Sequence, residues 1–372
     1  MNTSVNLIGQ YPATLDVVDV HVGGDLHRIV LGGVAALPGS TVLDQMKYLR
    51  TNADGLRQLL LHEPRGGHPS IFADLVVPAV HPSAAAGFII MERMGYPLIS
   101  GTNTMSTVIA LIEMGRIPVQ DGPNRIILEA PGGLIEVAVT TRAGRVREVT
   151  YEAQTPSYVA ERDLKIELPE WGTVSFDLAW TGAFYPIVNA DALGFSLNRE
   201  DEDELVRFAK AFIAEARKTC RPVHPEFGDE EPLSFLIFAG QVETGSDGCH
   251  ERKLCCYEYP LSSVCRCPAG VPSTAAIAQS VDRGELSAGD TLRTISIFGT
   301  ELRVAVTEFT EYHGHQGVKA AVTGSGWITM HSRLLIDFDD PLTPGDGLRE
   351  LVLMSGVSLS NAQGEAWVRE SD

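Results

Sequence analysis

Two short segments of the sequence could hold an anion beside a side chain that moves a proton. They are Ser100-Gly101-Thr102-Asn103 and Ala269-Gly270-Val271-Pro272, and each opens a run of residues with helical apolar spacing. The first turn of a helix leaves backbone N–H groups free, and its positive dipole end favours negative charge. We therefore predict that Gly101, Thr102, Asn103, Ala269, Gly270 and Val271 contact a substrate carboxylate. Ser100 either transfers a proton there or only caps its helix.

The two segments belong to an internal repeat with an offset of 169 residues. SGTNTMSTVIALIEMGRI from Ser100 aligns without a gap with AGVPSTAAIAQSVDRGEL from Ala269. Each predicts a helix that ends at a glycine, Gly115 or Gly284. A strand pair containing glycine follows each helix, as APGGLIEVAV and IFGTELRVAV. The same units in the same order predict two homologous halves, whose helix N-termini are expected to point at one place.

Five of the six cysteines fall between Cys249 and Cys267. Cys265 and Cys267 precede the second helix, where a thiol with a lowered pKa can act as an acid or base. Both can equally be buried, inert thiols. The cluster suggests zinc, but it lacks two C-x₂₋₄-C pairs, and the adjacent cysteines of KLCCYEY would face opposite sides of a strand. We expect free thiols, no metal and no other cofactor.

Composition narrows the class of partner. The chain has 372 residues and a formal net charge of −19, which disfavours binding to nucleic acid or to anionic membranes. Hydrophobic residues make up 44% and charged residues 21%, as in ordinary globular proteins. No apolar run is long enough to span a bilayer, and MNTSVNLIGQYPATLD lacks the features of a secretory signal. We expect a cytoplasmic protein whose partner is a small carboxylate or amino acid.

Strand and helix patterns alternate along the chain. DVVDVHVGGDLHRIVLGG predicts two strands around a Gly-Gly turn. Ser40–Leu61 predicts one helix, with Ser40 or Thr41 as its N-cap, and Glu200–Lys218 predicts a charged helix. RTISIFGTELRVAVTEF and GVKAAVTGSGWITM predict strands, and the segment after Pro344 predicts a weak helix or strand.

Several motifs together resemble the proline racemase family, which includes hydroxyproline 2-epimerases and trans-3-hydroxyproline dehydratases. Each motif alone is weak, but their order and spacing cover nearly the whole chain. The matching segments are His21 to Asp25, Glu63-Pro64-Arg65-Gly66, MERMGYPLISGTNT, EAPGGLIEV, VHPEF around His224, GSGWIT around Trp327, and Asp339-Asp340-Pro341.

The resemblance implies an α/β fold with two pseudo-symmetric halves. Each half would be a curved mixed sheet around a central helix, with the active-site cleft between them, as in diaminopimelate epimerase. We expect one half over residues 1–140, rejoined by 345–372, and the other over 141–344. The family mechanism places two thiols on opposite faces of the substrate α-carbon, because inversion delivers the new proton to the far side. Homodimerisation is a further expectation.

The chain departs from the family at both thiol positions. Ser100 occupies the first and Ala269 the second, while Thr102 replaces a histidine and Cys265 an aspartate. Pro272 also removes one backbone donor. Serine is a poor base without a partner, and alanine cannot transfer a proton.

We therefore expect a reaction that needs one catalytic face. Dehydration of trans-3-hydroxy-L-proline is the preferred reaction, although the family's dehydratases carry threonine at the second position. In an alternative, a local shift brings Cys267 into the place of the missing thiol and allows 4-hydroxyproline epimerisation or proline racemisation. Ala269, Val271 and Pro272 form an apolar wall that also suits a larger carboxylate and a different reaction. A further alternative is a binding protein without turnover.

Three other polar residues lie in the matching motifs. His224 lies in a loop before Pro225 and is expected to contact the substrate. His21 and Asp25 flank the Gly-Gly turn, and a structural role is the favoured interpretation for both.

Overall fold

The computed structural model describes residues 13–62, 70–153 and 155–353. Its strands, in chain order, are β1 (Ala13–Val22), β2 (Asp25–Gly32), β3 (Ile71–Val77), β4 (Ala86–Met91), β5 (Gly122–Ala130), β6 (Gly133–Arg142), β7 (Arg145–Glu152), β8 (Tyr158–Leu168), β9 (Gly172–Trp180), β10 (Phe184–Asn189), β11 (Phe235–Ala239), β12 (Glu243–Thr244), β13 (His250–Glu258), β14 (Thr291–Ile295), β15 (Glu301–Tyr312), β16 (His315–Gly324) and β17 (Gly326–Ile336). Its helices are α1 (Val42–Asn52), α2 (Gly55–Leu61), α3 (Gly101–Glu113), α4 (Glu202–Thr219), α5 (Gly270–Asp282) and α6 (Leu348–Leu351). Within these ranges, no helix is both long and apolar enough to cross a membrane.

The chain divides into two compact units. The first contains Met1–Val22, Leu26–Val149 and Gly326–Asp372, and the second contains Gly23–Asp25 and Thr150–Ser325. From the sequence alone we place these limits after residues 140 and 344. In the structure the chain returns to the first unit earlier, at Gly326, because β17 pairs with β1 along its whole length.

The first unit is a mixed sheet between two helical layers. Its strand order is β17-β1-β2-β3-β4-β5-β6, with parallel pairing only between β2 and β3 and between β4 and β5. Leu15, Ala73 and Leu75 face α1 and α2 and share one core cluster with them. Helix α3 packs against β1, β3 and β17. All residues from Gly101 to Ile112 are buried, including the polar side chains of its first two turns, so α3 is enclosed on every side.

The second unit wraps a sheet around α5. Its strand order is β16-β15-β14-β13-β11-β10-β9-β8, and Ser157 next to β8 forms a bridge with Val318 of β16. Helix α5 contacts β8, β9, β10, β13, β15 and β16, which makes it the central helix of this unit. Helix α4 covers the sheet with a buried face that includes Phe208 and Phe212.

The structure tests several local predictions. The hairpin around Gly23 and Gly24 is confirmed as β1 and β2, and Thr41 is confirmed as an N-cap because its hydroxyl accepts from the Asp44 N–H at 3.0 Å. The single helix predicted over Ser40–Leu61 is wrong, since α1 and α2 are separate. Residues 345–348 dock at the break, where the Gly55 N–H donates to the Asp346 carbonyl at 3.0 Å.

Candidate active site

The predicted repeat is confirmed in the bounds of its two helices. Helix α3 spans Gly101–Glu113 and α5 spans Gly270–Asp282, so the 169-residue offset holds at both ends. Gly115 and Gly284 follow the two helices with φ values of 70° and 73°, the left-handed conformation of a C′ glycine. A shared substrate between the two helix N-termini remains a prediction.

Ser100 does not use its side chain to cap α3. Its backbone is extended, with φ −152° and ψ 133°, and its hydroxyl accepts no hydrogen bond from the first turn of the helix backbone. Instead, the Asn103 Nδ2 group donates to Ser100 Oγ at 2.7 Å. The hydroxyl is half-buried, and this side-chain contact holds it at the helix start. An amide N–H directed at Oγ stabilises negative charge on that oxygen.

Two further residues fix the Asn103 amide. His27 Nδ1 lies 3.0 Å from Asn103 Oδ1, and Asn103 Nδ2 lies 3.2 Å from Glu92 Oε1. Because an amide oxygen only accepts, the contact assigns the proton of His27 to Nδ1. Burial lowers the pKa of His27 to about 3, so the ring is neutral near pH 7. Neither His27 nor Glu92 was predicted from the sequence.

The chain entering α3 is held by a glycine of the matching motif EAPGGLIEV. The Gly132 N–H donates to the Leu98 carbonyl at 2.9 Å. A Cβ at position 132 would lie 2.6 Å from Cγ1 of Ile99, which is too close for any side chain. Glycine at 132 therefore allows the segment before Ser100 to pack against the β5–β6 turn.

Ala269 stands at the start of α5 in an uncommon conformation. Its φ is 58° and ψ is 139°, a region that residues with a Cβ seldom adopt. The Ala269 N–H donates to Cys267 Sγ at 2.9 Å, so the sulfur closes the turn that leads into the helix. Ala269 itself offers only a methyl group. Cys267 is fully buried.

The Gly-Gly turn positions this helix start. The Arg266 Nε donates to the Gly24 carbonyl at 3.2 Å, and a Cβ on Gly24 would lie 2.5 Å from the Arg266 carbonyl oxygen. Asp25 is hydrogen-bonded by Cys267, and burial raises the pKa of Asp25 to about 6. Burial, together with Asp25, raises the pKa of the Cys267 thiol well above its usual range. Asp25 thus anchors the Gly-Gly turn, and its role here is structural, which is the interpretation favoured from the sequence.

Cys265 lies opposite Cys256 in an antiparallel pair of segments. The Cys265 N–H donates to the Cys256 carbonyl at 2.8 Å, and the two thiols are hydrogen-bonded. This contact and burial raise the pKa of Cys265 well above its usual range. The shift is opposite to the one that would make Cys265 a base near pH 7. Across the described ranges, no group of three or more His, Cys, Asp or Glu residues could hold a metal ion.

The remaining residues predicted to contact a substrate, among them His224, Gly270 and Val271, differ in burial and in hydrogen bonding. His224 Nδ1 accepts from the Glu226 and Phe227 N–H groups at 3.2 and 3.3 Å, which organises its own loop. Val271 is half-buried, and Gly270 is buried. A Cβ on Gly270 would lie 2.2 Å from the Tyr151 hydroxyl, so this tyrosine borders the start of α5, which the sequence did not suggest. Glu63 to Gly66 lies outside the described residues.

Comparison with known proteins identifies the family. The model of the proline racemase family matches residues 17–346. This chain belongs to the proline racemase family. A protein of Marinobacter nauticus is 41% identical over 340 residues, covering 91% of this chain and 96% of the relative. The 4-hydroxyproline 2-epimerase of Agrobacterium fabrum is 32% identical over 340 residues, with the same coverage of 91% and 96%.

Solved structures agree with the family and the fold. A hydroxyproline epimerase from Agrobacterium vitis, with bound trans-4-hydroxy-L-proline, has a TM-score of 0.76 and 29% identity over 90% of this chain and 95% of that one. A Bacillus anthracis phenazine biosynthesis protein of the PhzF family has a TM-score of 0.57 and 12% identity, over 87% of this chain and 99% of that one. That likeness shows the fold alone. The predicted α/β class, with a sheet around a central helix in each unit, is confirmed.

Proposed function

We propose that this proline racemase family member is an enzyme acting at the α-carbon of a proline-like or other carboxylic acid, from the side of Ser100. The observation that supports this proposal is the contrast between the two helix starts. Ser100 Oγ receives a hydrogen bond from Asn103 at 2.7 Å, whereas Ala269 has no group that can carry a proton. Two-sided racemisation needs a proton carrier on each face, but a one-sided reaction does not.

The start of α3 supplies the binding half of the site. Its first intrahelical bond runs from the Thr104 N–H to the Ser100 carbonyl, so the N–H groups of Gly101, Thr102 and Asn103 remain for a substrate carboxylate. The positive end of the helix dipole adds to this attraction. Neutralising the carboxylate stabilises the enolate-like state formed when the α-proton leaves, and thereby acidifies that proton.

Ser100 and Glu92 divide the proton chemistry. The serine oxygen removes the α-proton while the Asn103 N–H stabilises its charge. A neutral serine hydroxyl is too weak a base, so its own proton must pass to a second acceptor as Oγ takes the α-proton. Glu92 Oε1 contacts the same Asn103 nitrogen at 3.2 Å, and a single water molecule can connect the two oxygens. His27 holds the Asn103 amide in the orientation that directs its Nδ2 group at both Ser100 Oγ and Glu92 Oε1.

Dehydration of trans-3-hydroxy-L-proline fits this arrangement best among the family's reactions. The Cα–H bond and the Cβ–O bond break, a Cα=Cβ double bond forms, and the abstracted proton leaves with the hydroxyl as water. No proton has to reach the opposite face of the α-carbon. The assay is NMR of trans-3-hydroxy-L-proline in heavy water, where loss of the β-proton signal at the carbinol position reports elimination.

A second candidate is 4-hydroxyproline epimerisation with Cys267 as the shifted thiol. The name of the Agrobacterium fabrum relative, a 4-hydroxyproline 2-epimerase, favours it. The full burial of Cys267, and the hydrogen bond it accepts from Ala269, argue against it. With trans-4-hydroxy-L-proline in heavy water, inversion with α-deuteration would support this candidate over dehydration.

Two variants separate the candidates. Ser100→Ala should abolish turnover in the Ser100 mechanism, while Cys267→Ala should leave most of it. Ser106→Ala is the matched control, because Ser106 is a buried serine of the same helix whose Oγ has no partner among the described residues. If Cys267→Ala alone abolishes activity, the shifted thiol is the catalyst. Activity that survives both changes would contradict both candidates.

A further inference from the structure

The second unit contains a polar cavity at the far end of α5 from Ala269. Its volume is about 440 Å³, which lies in the range of small-molecule sites. Gln279 and Arg283 of α5 line it, together with Arg252 of β13 and the outward residues Thr173 and Ser175 of β9. Gln279 follows Ala269 by ten residues, so the cavity lies about 15 Å along the helix from its start at Ala269. It is therefore separate from the helix start.

Arg252 is a buried cation that forms no ion pair with any carboxylate of the described residues. Only 8% of the residue is exposed. Its Nε donates to the Gly240 carbonyl at 2.8 Å, and its Nη1 donates to the Ala276 carbonyl and Ser280 Oγ at 3.3 Å. Its Nη2 makes no hydrogen bond to any residue that the structure describes. A guanidinium that keeps free N–H donors at a cavity wall is a ready site for a carboxylate.

Gln279 adds an unused acceptor. Its residue is 5% exposed, and its Nε2 donates to Asp177 Oδ2 at 2.5 Å. Its Oε1 is buried and has no partner in the described part of the chain. Buried amide oxygens are normally satisfied, so an unpaired one in a cavity wall indicates a missing donor. The carboxylate of Asp177 is already paired with Arg283 at 2.7 Å. The unfilled position is therefore at Gln279 Oε1 and not at Asp177.

Charge selects the class of ligand. The wall carries three carboxylates, Asp163, Asp177 and Glu285, against the guanidiniums of Arg252 and Arg283. Burial lowers the pKa of Arg252 to about 10, and the carboxylate of Glu285 opposes this shift. Glu285 itself forms no ion pair within the described ranges. A dianion would meet a wall with net negative charge. A molecule with one carboxylate and one ammonium group matches both the free cation and the free anion.

We propose that this cavity is a second ligand site, separate from the catalytic one, and that it binds a small zwitterionic α-amino acid. The ligand carboxylate binds Arg252 Nη2, and its ammonium group donates to Gln279 Oε1 and towards Glu285. The two guanidinium contacts to α5, at Ala276 and Ser280, connect the ligand to the helix whose other end carries Ala269.

The test measures binding and requires no turnover. Glycine, L-proline and L-glutamate are titrated against the full chain by calorimetry, with inorganic phosphate as a dianionic probe. At least one amino acid should bind. Ser175→Trp, which fills the cavity from an exposed strand position, should abolish that binding, while the matched Ser175→Ala should retain it. Glu285→Gln should weaken it about tenfold by removing one charge-assisted contact.

Arg252→Gln should also abolish binding, but this residue is buried and the variant needs a check of its fold. The exposed Ser175 and Glu285 variants keep the test independent of that outcome. Binding that survives Ser175→Trp lies elsewhere and overturns the proposal, as does the absence of binding by all three amino acids. Phosphate binding that Ser175→Trp removes would overturn the zwitterion assignment. Each result stands whether or not trans-3-hydroxy-L-proline is a substrate.

Discussion

Asp25 should make the stability of this protein depend on pH in a way that one substitution removes. The residue is 3% exposed, and its Oδ1 has no hydrogen-bond partner among the described residues. Burial raises the pKa of Asp25 from 3.8 to about 6, even though Cys267 donates to the carboxylate. Asp25→Asn keeps the shape of the side chain and removes the ionisation.

The sign and size follow from the shift. A carboxyl group whose pKa is raised in the folded state favours folding below its unfolded pKa, and this advantage is lost as pH rises through the folded value. For Asp25 the window runs from about pH 4 to about pH 6. A shift of about two units corresponds to about 3 kcal/mol in total, of which about 2 kcal/mol falls between pH 4.5 and 8.

Urea unfolding of both proteins at pH 4.5 and pH 8 measures the effect. The free energy of unfolding of Asp25→Asn, relative to the parent protein, should rise by about 2 kcal/mol from the lower to the higher pH. His27 and Glu258, whose pKa values are also shifted by burial, are present in both proteins and cancel in the difference. Asp203→Asn, on the exposed side of α4, is the control and should show no such trend. A difference for Asp25→Asn that does not change with pH would refute the reasoning.

Three further predictions follow from the site. Ala269→Cys restores a proton carrier at the second thiol position. The rate of trans-4-hydroxy-L-proline epimerisation, measured by NMR as α-deuteration, should rise by about 100-fold or more. No gain in a folded variant would contradict the one-face argument. Gly132→Ala should cost about 1–3 kcal/mol in thermal unfolding because its Cβ would meet Ile99 at 2.6 Å, whereas Gly345→Ala, with open space around it, should not. Under native conditions one thiol should react rapidly with a disulfide reagent, and Cys249→Ser should remove that phase because Cys249 is the exposed cysteine.

The sequence predicts the helices that carry the site because repetition constrains them twice. A gapless match of two segments fixes both helix starts and both C′ glycines, so local errors in one copy are corrected by the other. The prediction fails where a distant segment decides the local structure. Ser40–Leu61 has helical spacing throughout, but the break between α1 and α2 is occupied by Asp346, which no local pattern could reveal.

Local sequence patterns could not predict the side-chain partners of the site for a similar reason. His27 reaches Asn103 from a strand 76 residues away, and its ring stacks on Phe72 because the parallel register of β2 and β3 places the two side by side. Cys265 meets Cys256 because the intervening turn returns the chain in antiparallel register. Family resemblance indicates where catalytic groups are missing, but not which side chains surround those positions.

The side chains around the two helix starts differ in their capacity for proton transfer. At Ser100 the neighbours are a neutral histidine, an amide and a carboxylate, a set that orients a hydroxyl and can pass on a proton. At Ala269, Cys267 accepts from the Ala269 N–H and contacts Asp25, and burial raises the pKa values of both Cys267 and Asp25. A thiol whose pKa is raised well above its usual range stays protonated near neutral pH and is therefore a poor base there. With Ala269 unable to carry a proton and Cys267 held as a thiol, these surroundings support the proposal of proton transfer from the side of Ser100.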